Sequence, residues 1–289
     1  MTNVILDCDN TFGLPGRPTD DGLALLYLLG KPSIQLLGVT TTYGNADVKT
    51  VYENTRTMLH DLGREDIPVI EGGASPGSRQ SRAAEFLVEQ SKKFRGELKI
   101  LAVGALTNLC AADELDGVFF ERLDELVLMG GITEPLYLHG IPLDELNFSC
   151  DPEAACRVLT KGKRLSIATG NNCLPAYMRH QDYKNRLLDA CSPIGHYIYD
   201  HTKNWFETKV KRYDLNGFYN WDAVAAVYLL EKRFFTDHPY RCRPAVEELA
   251  CGAIGQVSDA PMRTINLPEI RDVEGFVEEM YTHWLSVPI

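Results

Sequence analysis

The sequence predicts a single α/β domain over residues 1–289, built on an open and mostly parallel sheet flanked by helices, with a helical C-terminal part. Three observations predict it. Short β-rich runs alternate with longer segments of helical period from Asn3 to Thr169, which argues for right-handed βαβ units and a parallel sheet. The composition, 45% hydrophobic and 24% charged, is that of a globular chain and excludes disorder as the dominant state. No internal repeat, low-complexity tract or Gly/Ser linker divides the chain.

The elements follow in order. Residues 4–6 (VIL) read as a strand, 21–30 (DGLALLYLLG) as a helix closed by its glycine, and 34–42 (IQLLGVTTT) as a second strand. A helix is expected over 47–62, where Val51, Thr55, Met58 and Leu62 share one face. A short strand near 68–70, a helix near 83–94 and a buried strand over 98–103 come next. LTNLCAA then opens a helix, ELVLMGG is a strand running into Gly130 and Gly131, and a helix follows from Asp151. Residues 164–169 form another strand, 175–209 read as mostly helical, and WDAVAAVYLL is a helix from Trp221. Residues 249–266 are weakly β and 272–285 supply a closing helix. An open, Rossmann-like sheet of this kind puts its ligand in the crevice beyond the carboxyl ends of its strands. The candidate segments are therefore 7–21, 42–47, 103–108, 129–131 and 169–172.

Charge and cysteine content narrow the partners. Forty acidic against twenty-nine basic residues give a net charge of −11, with no block of like charges. Phosphate backbones are poor partners for such a chain, because that affinity comes from Lys and Arg displacing counterions. Small neutral or cationic ligands fit better. The eight cysteines are scattered without a C-x-x-C pair, so neither a disulfide framework nor a zinc site is expected, and a reduced, cytoplasmic setting is. The opening MTNVILDCD lacks a basic, apolar leader pattern, and no run of apolar residues is long enough to span a membrane.

The segment ILDCDNTFGLPGRPTDDGLALL places Asp7 and Asp9 at the end of the first strand and Asp20 and Asp21 at the mouth of the first helix. Carboxylates meeting at one crossing repel each other unless a cation or protons neutralise them. Oxygen-only ligands without His or Cys favour calcium or magnesium over zinc. The plainer reading is a helix capped by Asp20 with Asp7 and Asp9 solvated. DCDNT also matches the D-x-D-x-T signature of the haloacid-dehalogenase phosphatases, in which Asp7 would be a nucleophile beside magnesium. No acidic doublet follows RLSIAT or ELVLMGG, as that chemistry requires, so the phosphatase remains an alternative only.

A longer set of motifs points elsewhere. DCD and DDGLALL are followed in order by GVTTTYGNAD, ILAVGALTNL, LVLMGG, ELNFSCDPEAA and GFYNWDAVAAVYLL. With these the sequence resembles the inosine–uridine preferring nucleoside hydrolases over most of its length. The resemblance implies a calcium ion held by Asp9, Asp21, the main-chain carbonyl of Val103 and Asp222, with Asp9 as general base. It implies ribose recognition by Asp20, Asn45, Met129, Glu145 and Asn147. The reaction implied is hydrolysis of the N-glycosidic bond of a ribonucleoside to free base and ribose, in a homodimer or homotetramer. Many members carry His before the late aspartate; here Trp221 precedes Asp222, which resembles the purine-preferring branch, where the indole stacks on the base.

Three segments depart from the family pattern. Residues 10–19 (NTFGLPGRPT) lengthen the aspartate loop, which closes at little entropic cost if its glycines and prolines form a turn. The stretch ITEPLYLHGIPLDELN lacks the glycine–asparagine step that supplies a contact near the 5′-hydroxyl, and His139 is the candidate replacement. GGASPGSRQSRAAEF is short and lacks a histidine–glycine loop. A third reading is a nucleoside or ribose binder that keeps the cleft without turnover, motivated by Trp221 standing in place of histidine.

Overall fold

The computed structural model describes residues 1–255 and 262–289. The chain runs β1 (Thr2–Cys8), α1 (Asp20–Leu29), β2 (Ile34–Thr41), α2 (Val48–Asp61), β3 (Val69–Glu71), α3 (Arg82–Lys93), β4 (Leu98–Ala102), α4 (Thr107–Leu115) and β5 (Leu123–Met129). A small hairpin, β6 (Leu136–Leu138) and β7 (Ile141–Leu143), precedes α5 (Pro152–Lys161) and β8 (Leu165–Ala168). Then come β9 (Tyr177–Arg179), α6 (His180–Asp189), α7 (Pro193–Tyr213), β10 (Gly217–Tyr219) and α8 (Trp221–Leu230). The chain closes with β11 (Phe235–Thr236), β12 (Pro239–Cys242), α9 (Val246–Leu249), β13 (Arg263–Asn266), β14 (Glu269–Ile270) and α10 (Val273–Trp284).

Among the described residues the main sheet has eight strands in the order β12-β13-β8-β5-β4-β1-β2-β3. Every adjacent pair is parallel except β12 and β13 at one edge. The predicted mostly parallel sheet is therefore present. Chain order runs outward from β1 through β2 to β3 on one side and through β4 to β5 on the other, so the direction of winding reverses between β1 and β4.

The two faces of the sheet bury separate cores, as strand geometry requires. Val4, Leu6 and Cys8 pack with α1, α8 and α10, while Ile5 packs with α3, α4 and α5. Helix α8 is apolar all round and buried from Asp222 to Leu229, because it lies between the sheet and α1. All eight cysteines are free thiols. No helix among the described residues is long and apolar enough to cross a membrane.

Residues 175–209 are mostly helical, as expected, with the short β9 pairing with β10 ahead of α6 and α7. Two other stretches differ from expectation. Of the weakly β stretch 249–266, Leu249 ends the helical turn α9, Ala253 makes an isolated bridge to Ile132, and Arg263–Asn266 is a strand; 256–261 lies outside the described residues. The stretch after Gly131 holds the unpredicted β6–β7 hairpin, turned by His139 at φ 48° with Gly140 beside it.

Candidate active site

The reversal point of the sheet gathers the polar residues. Asp9 follows β1, Val103 follows β4, and Met129 ends β5. Helix α1 begins with Asp20 and Asp21, and α8 begins with Trp221 and Asp222. Both pairs sit where helix N-termini favour negative charge. Hence two carboxylates from the start of the chain meet one from its last third: an oxygen of each of Asp20, Asp21 and Asp222 lies within 4.8 Å of the others. Asp9 adjoins this group, its backbone N–H donating to Asp21 Oδ1 at 3.0 Å.

The long loop over residues 10–19 does not disturb that register. Thr11 Oγ1 donates to the Pro18 carbonyl at 2.8 Å and closes the loop on itself. The Asn54 carboxamide donates to the carbonyls of Asn10 and Phe12 at 3.3 and 3.2 Å. The buried Phe12 ring stacks on His201 of α7, with centroids 5.6 Å apart and planes 10° apart. Its ends meet, as the entropy of loop closure allows.

Asn45 ties the opening aspartates together. Its backbone N–H donates to Asp9 Oδ2 at 2.6 Å and its carboxamide nitrogen to Asp21 Oδ2 at 3.1 Å. Gly44 beside it must be glycine: at φ 155° a Cβ would stand 2.2 Å from Asp9 Oδ2. Arg17 Nη1 donates to the Asn45 carbonyl at 2.5 Å, so the inserted loop also braces this turn. Across the crevice, Asn147 Nδ2 donates to the carbonyls of Val103 at 2.9 Å and Met129 at 3.0 Å. Glu145 faces the same crevice, and its carboxylate accepts from the backbone N–H groups of Gly131, Phe148 and Ser149 at 3.0, 2.9 and 3.0 Å.

The electrostatics call for a cation. Burial pushes Asp9 up from 3.8 to about 7, with Asp20 adding to the rise. Asp21 and Asp222 are pushed well above the ordinary carboxylate range, first by burial and then by their neighbouring carboxylates. Asp9 Oδ1 is buried without a hydrogen-bond partner. An unpartnered oxygen beside three converging carboxylates is an all-oxygen donor set, which suits a hard divalent ion of the calcium or magnesium type.

A cavity of about 290 Å³ opens over this cluster. Of the ten residues singled out from the sequence, eight line it: Asp20, Asn45, Val103, Met129, Glu145, Asn147, Trp221 and Asp222. Asp9 and Asp21 lie directly beneath, fully buried. The Trp221 ring packs on Tyr219, with centroids 5.1 Å apart and planes 32° apart.

Two expectations fail. Asp7 does not join the cluster: it shares the face of Ile5 and turns toward α4, its Oδ2 accepting from Thr40 at 2.5 Å and Asn108 at 2.8 Å. Burial raises it to about 7. It is absent from the cavity wall, so the phosphatase reading has no nucleophile. His139 does not reach the cavity either, because it caps the exposed turn of the β6–β7 hairpin.

The sequence reading missed the upper wall. Ile132, Leu136 and Leu143 come from the hairpin segment, and Trp205, Arg212 and Tyr213 from α7. Nothing in their spacing separates them from core residues.

The chain matches the family model described as inosine-uridine preferring nucleoside hydrolase over residues 4–277. It is 28% identical to a protein of Arabidopsis thaliana named probable uridine nucleosidase 2, over 81% of this chain and 79% of that one. It is 27% identical to the pyrimidine-specific ribonucleoside hydrolase RihB of Escherichia coli, over 78% of each. The fold superposes on that of the purine-preferring ribonucleoside hydrolase from Gardnerella vaginalis with a TM-score of 0.85, at 23% identity and over 99% of this chain and 98% of that one. The parallel sheet, the strand-end crevice and the match over nearly the whole chain agree: this protein belongs to the inosine–uridine preferring nucleoside hydrolase family.

Proposed function

We propose that the protein hydrolyses the N-glycosidic bond of ribonucleosides, with a purine-type base favoured, and that its divalent cation is calcium. The observation that carries this reading is the placement of an acidic floor and an aromatic side wall in one cavity. Asp9, Asp21, Asp222 and the Val103 carbonyl would hold the cation. When bound, such an ion neutralises the carboxylates and lowers the pKa of a ligated water.

The chain's own groups account for the rest. Asp20, Asn45 and Asn147 present oxygens and amides to a ribose diol, so a deoxynucleoside would leave them unpaired and is expected to be a poor substrate. Met129 offers its sulfur to the sugar, and Glu145, engaged with three backbone N–H groups, shapes the loop that carries Asn147. Asp9 Oδ1 takes a proton from water as the water oxygen bonds to C1′. The C1′–N bond breaks through a state with oxocarbenium character, and the surrounding carboxylates stabilise its positive charge. The base departs with a proton, its ring stacked on Trp221.

Trp205, Tyr213 and Trp221 line the base side, and a purine presents the larger π surface to them. A uridine preference is the second reading, favoured by the 28% identity to a named uridine nucleosidase. The test is a panel of inosine, adenosine, guanosine, uridine and cytidine, assayed for free base with and without chelator. Release of purines that chelation abolishes supports the first reading, and faster release of uracil selects the second. A calcium-loaded protein inert on every nucleoside overturns both.

A further inference from the structure

The inserted loop over residues 10–19 also reaches sideways. Its Phe12 side chain is buried between α1 and α7, two helices that both contribute to the cavity, through Asp20 and Trp205. On one side it lies on Gly22 of α1, so closely that a Cβ on Gly22 would stand 2.4 Å from Phe12 Cβ. On the other side its ring meets α7, with its centroid 5.6 Å from that of His201 and 6.0 Å from that of Tyr197. Gly13 follows at φ 82°, and a Cβ there would stand 2.6 Å from His201 Cδ2. The loop therefore presses on α7 with ring and backbone together.

Both sides of this wedge are held from behind. The Phe12 N–H donates to Asn10 Oδ1 at 3.0 Å, and the Phe12 carbonyl accepts from Asn54 Nδ2 of α2 at 3.2 Å. The Tyr197 hydroxyl hydrogen-bonds to Asp61 at the end of the same helix. His201 Nδ1 donates to the Tyr197 carbonyl at 2.7 Å, and the two rings lie 4.1 Å apart. Phe12, Tyr197 and His201 thus form one aromatic block anchored to α2.

Helical spacing carries this block into the cavity. Ile194, Ile198, Thr202 and Phe206 form the buried stripe of α7, at intervals of four. Phe206 packs on Tyr183 of α6 and Phe218 of β10, with centroids 5.1 and 4.8 Å apart. That stripe fixes how near α7 lies to α6 and β10, but a helix seated on one stripe can still roll about its axis. Tyr197, His201 and Trp205 form the adjoining stripe at the same interval, the first two against the inserted loop and the third in the cavity wall. One helical turn separates His201 from Trp205, so a roll of α7 at His201 moves the indole with it. Trp221 has a separate support in Tyr219.

We propose that Phe12 is a positioning residue for the nucleobase: wedged between α1 and α7, it fixes the roll of α7 and with it the Trp205 indole, so that the inserted loop sets the affinity of the cavity for the base. The inference rests on the proposed hydrolase function. Its competitor is a purely structural role at the floor, since Gly22 adjoins Asp21. The two differ in kinetics. A disturbed floor lowers kcat, whereas a displaced indole weakens binding of the base and raises KM with kcat retained.

The experiment measures kcat and KM for inosine and uridine with wild type, Phe12→Leu, His201→Ala, Trp205→Ala and the double variant Phe12→Leu/Trp205→Ala. Phe12→Leu keeps an apolar side chain without the flat ring, and should raise KM for inosine by about tenfold, as the loss of one base stack does, and for uridine less. Its kcat should stay within about threefold of wild type, because the chemistry of the floor is untouched. His201→Ala should do the same from the α7 side and decides the matter if Phe12→Leu does not fold, while His201→Phe should restore the stack and the wild-type KM. On top of Trp205→Ala, Phe12→Leu should change KM no further, because its effect passes through that indole. A fall in kcat with KM unchanged, wild-type KM in both single variants, or a Phe12→Leu effect that persists in full in the double variant overturns the inference and leaves the hydrolase reading standing. No turnover of either nucleoside by wild type overturns the hydrolase reading itself and the inference with it.

Discussion

The floor and the roof of the cavity were built by different rules. The floor stands on β1, β4, β5 and the first turns of α1 and α8, elements that every parallel α/β sheet must place side by side. The roof is the β6–β7 hairpin and the end of α7, whose positions depend on contacts between segments about seventy residues apart. Leu138 of the hairpin packs on Tyr213 and Leu215, with Leu143, Leu174, Tyr177 and Tyr219 around them. The floor is polar, buried and strained by its own charge, while the roof is an apolar satellite of the core. On the proposed function, chemistry belongs to the floor and choice of substrate to the roof.

The largest effect should come from the floor. Asp9→Asn keeps the shape and removes the proposed base, so kcat should fall by about 10³-fold with a folded protein by circular dichroism. A variant within tenfold of wild type would break the division, because the floor would then not carry the chemistry. Truncating the inserted loop is next in size. Phe12→Ala empties a buried site against α7 and should cost about 3 kcal/mol by denaturant unfolding.

The charge of the floor gives a pH signature. Asp9 has its folded-state pKa raised from 3.8 to about 7, so in chelated protein the folded form holds its proton more tightly than the unfolded chain does. Its contribution to stability is therefore greatest below about pH 4, declines as pH rises through that interval, and is fully unfavourable above about 7. Chelated wild type should lose melting temperature between pH 5 and 7.5 relative to Asp9→Asn. Calcium should restore it, by about 2.7 kcal/mol at a hundred times Kd. Equal slopes for the two proteins would show that burial does not hold the aspartate protonated.

Two smaller effects concern the aromatic side wall and the hairpin. Trp221→Ala should lower kcat/KM for inosine by about tenfold and for uridine less, as the loss of one ring contact predicts. His139→Asn, which keeps a residue tolerant of the turn at φ 48°, should change activity by less than about twofold because the side chain faces solvent.

The legibility of the sequence follows the same division. Strand β1 was readable from VIL and ended within two residues of expectation, since a buried parallel strand is a short apolar run bounded by polar residues. Asp9, Asp20 and Asp21 were legible because carboxylates crowded at one strand-to-helix crossing need a cation or protons to neutralise them, whereas Asp222 was singled out only through the resemblance to the family. Asp7 was misplaced: the period of two along β1 sends it to the α4 face, and DCD alone does not say which aspartate points where. His139 was misplaced because a hairpin lifts it away from the crevice, and the hairpin is held by Tyr213 and Leu215, far along the chain.

By itself the sequence determined the alternation of strands and helices, the crevice at their carboxyl ends and the acidic character of what lines it. Those depend on local periodicity and on a handedness that all L-polypeptides share. Tertiary structure alone decided that the inserted loop closes with Asp9 against Asp21, that Asp7 turns inward, and that the far wall is apolar. Each of these is a contact between residues distant in sequence, selected by which groups lose least on leaving water, and no local pattern encodes that comparison.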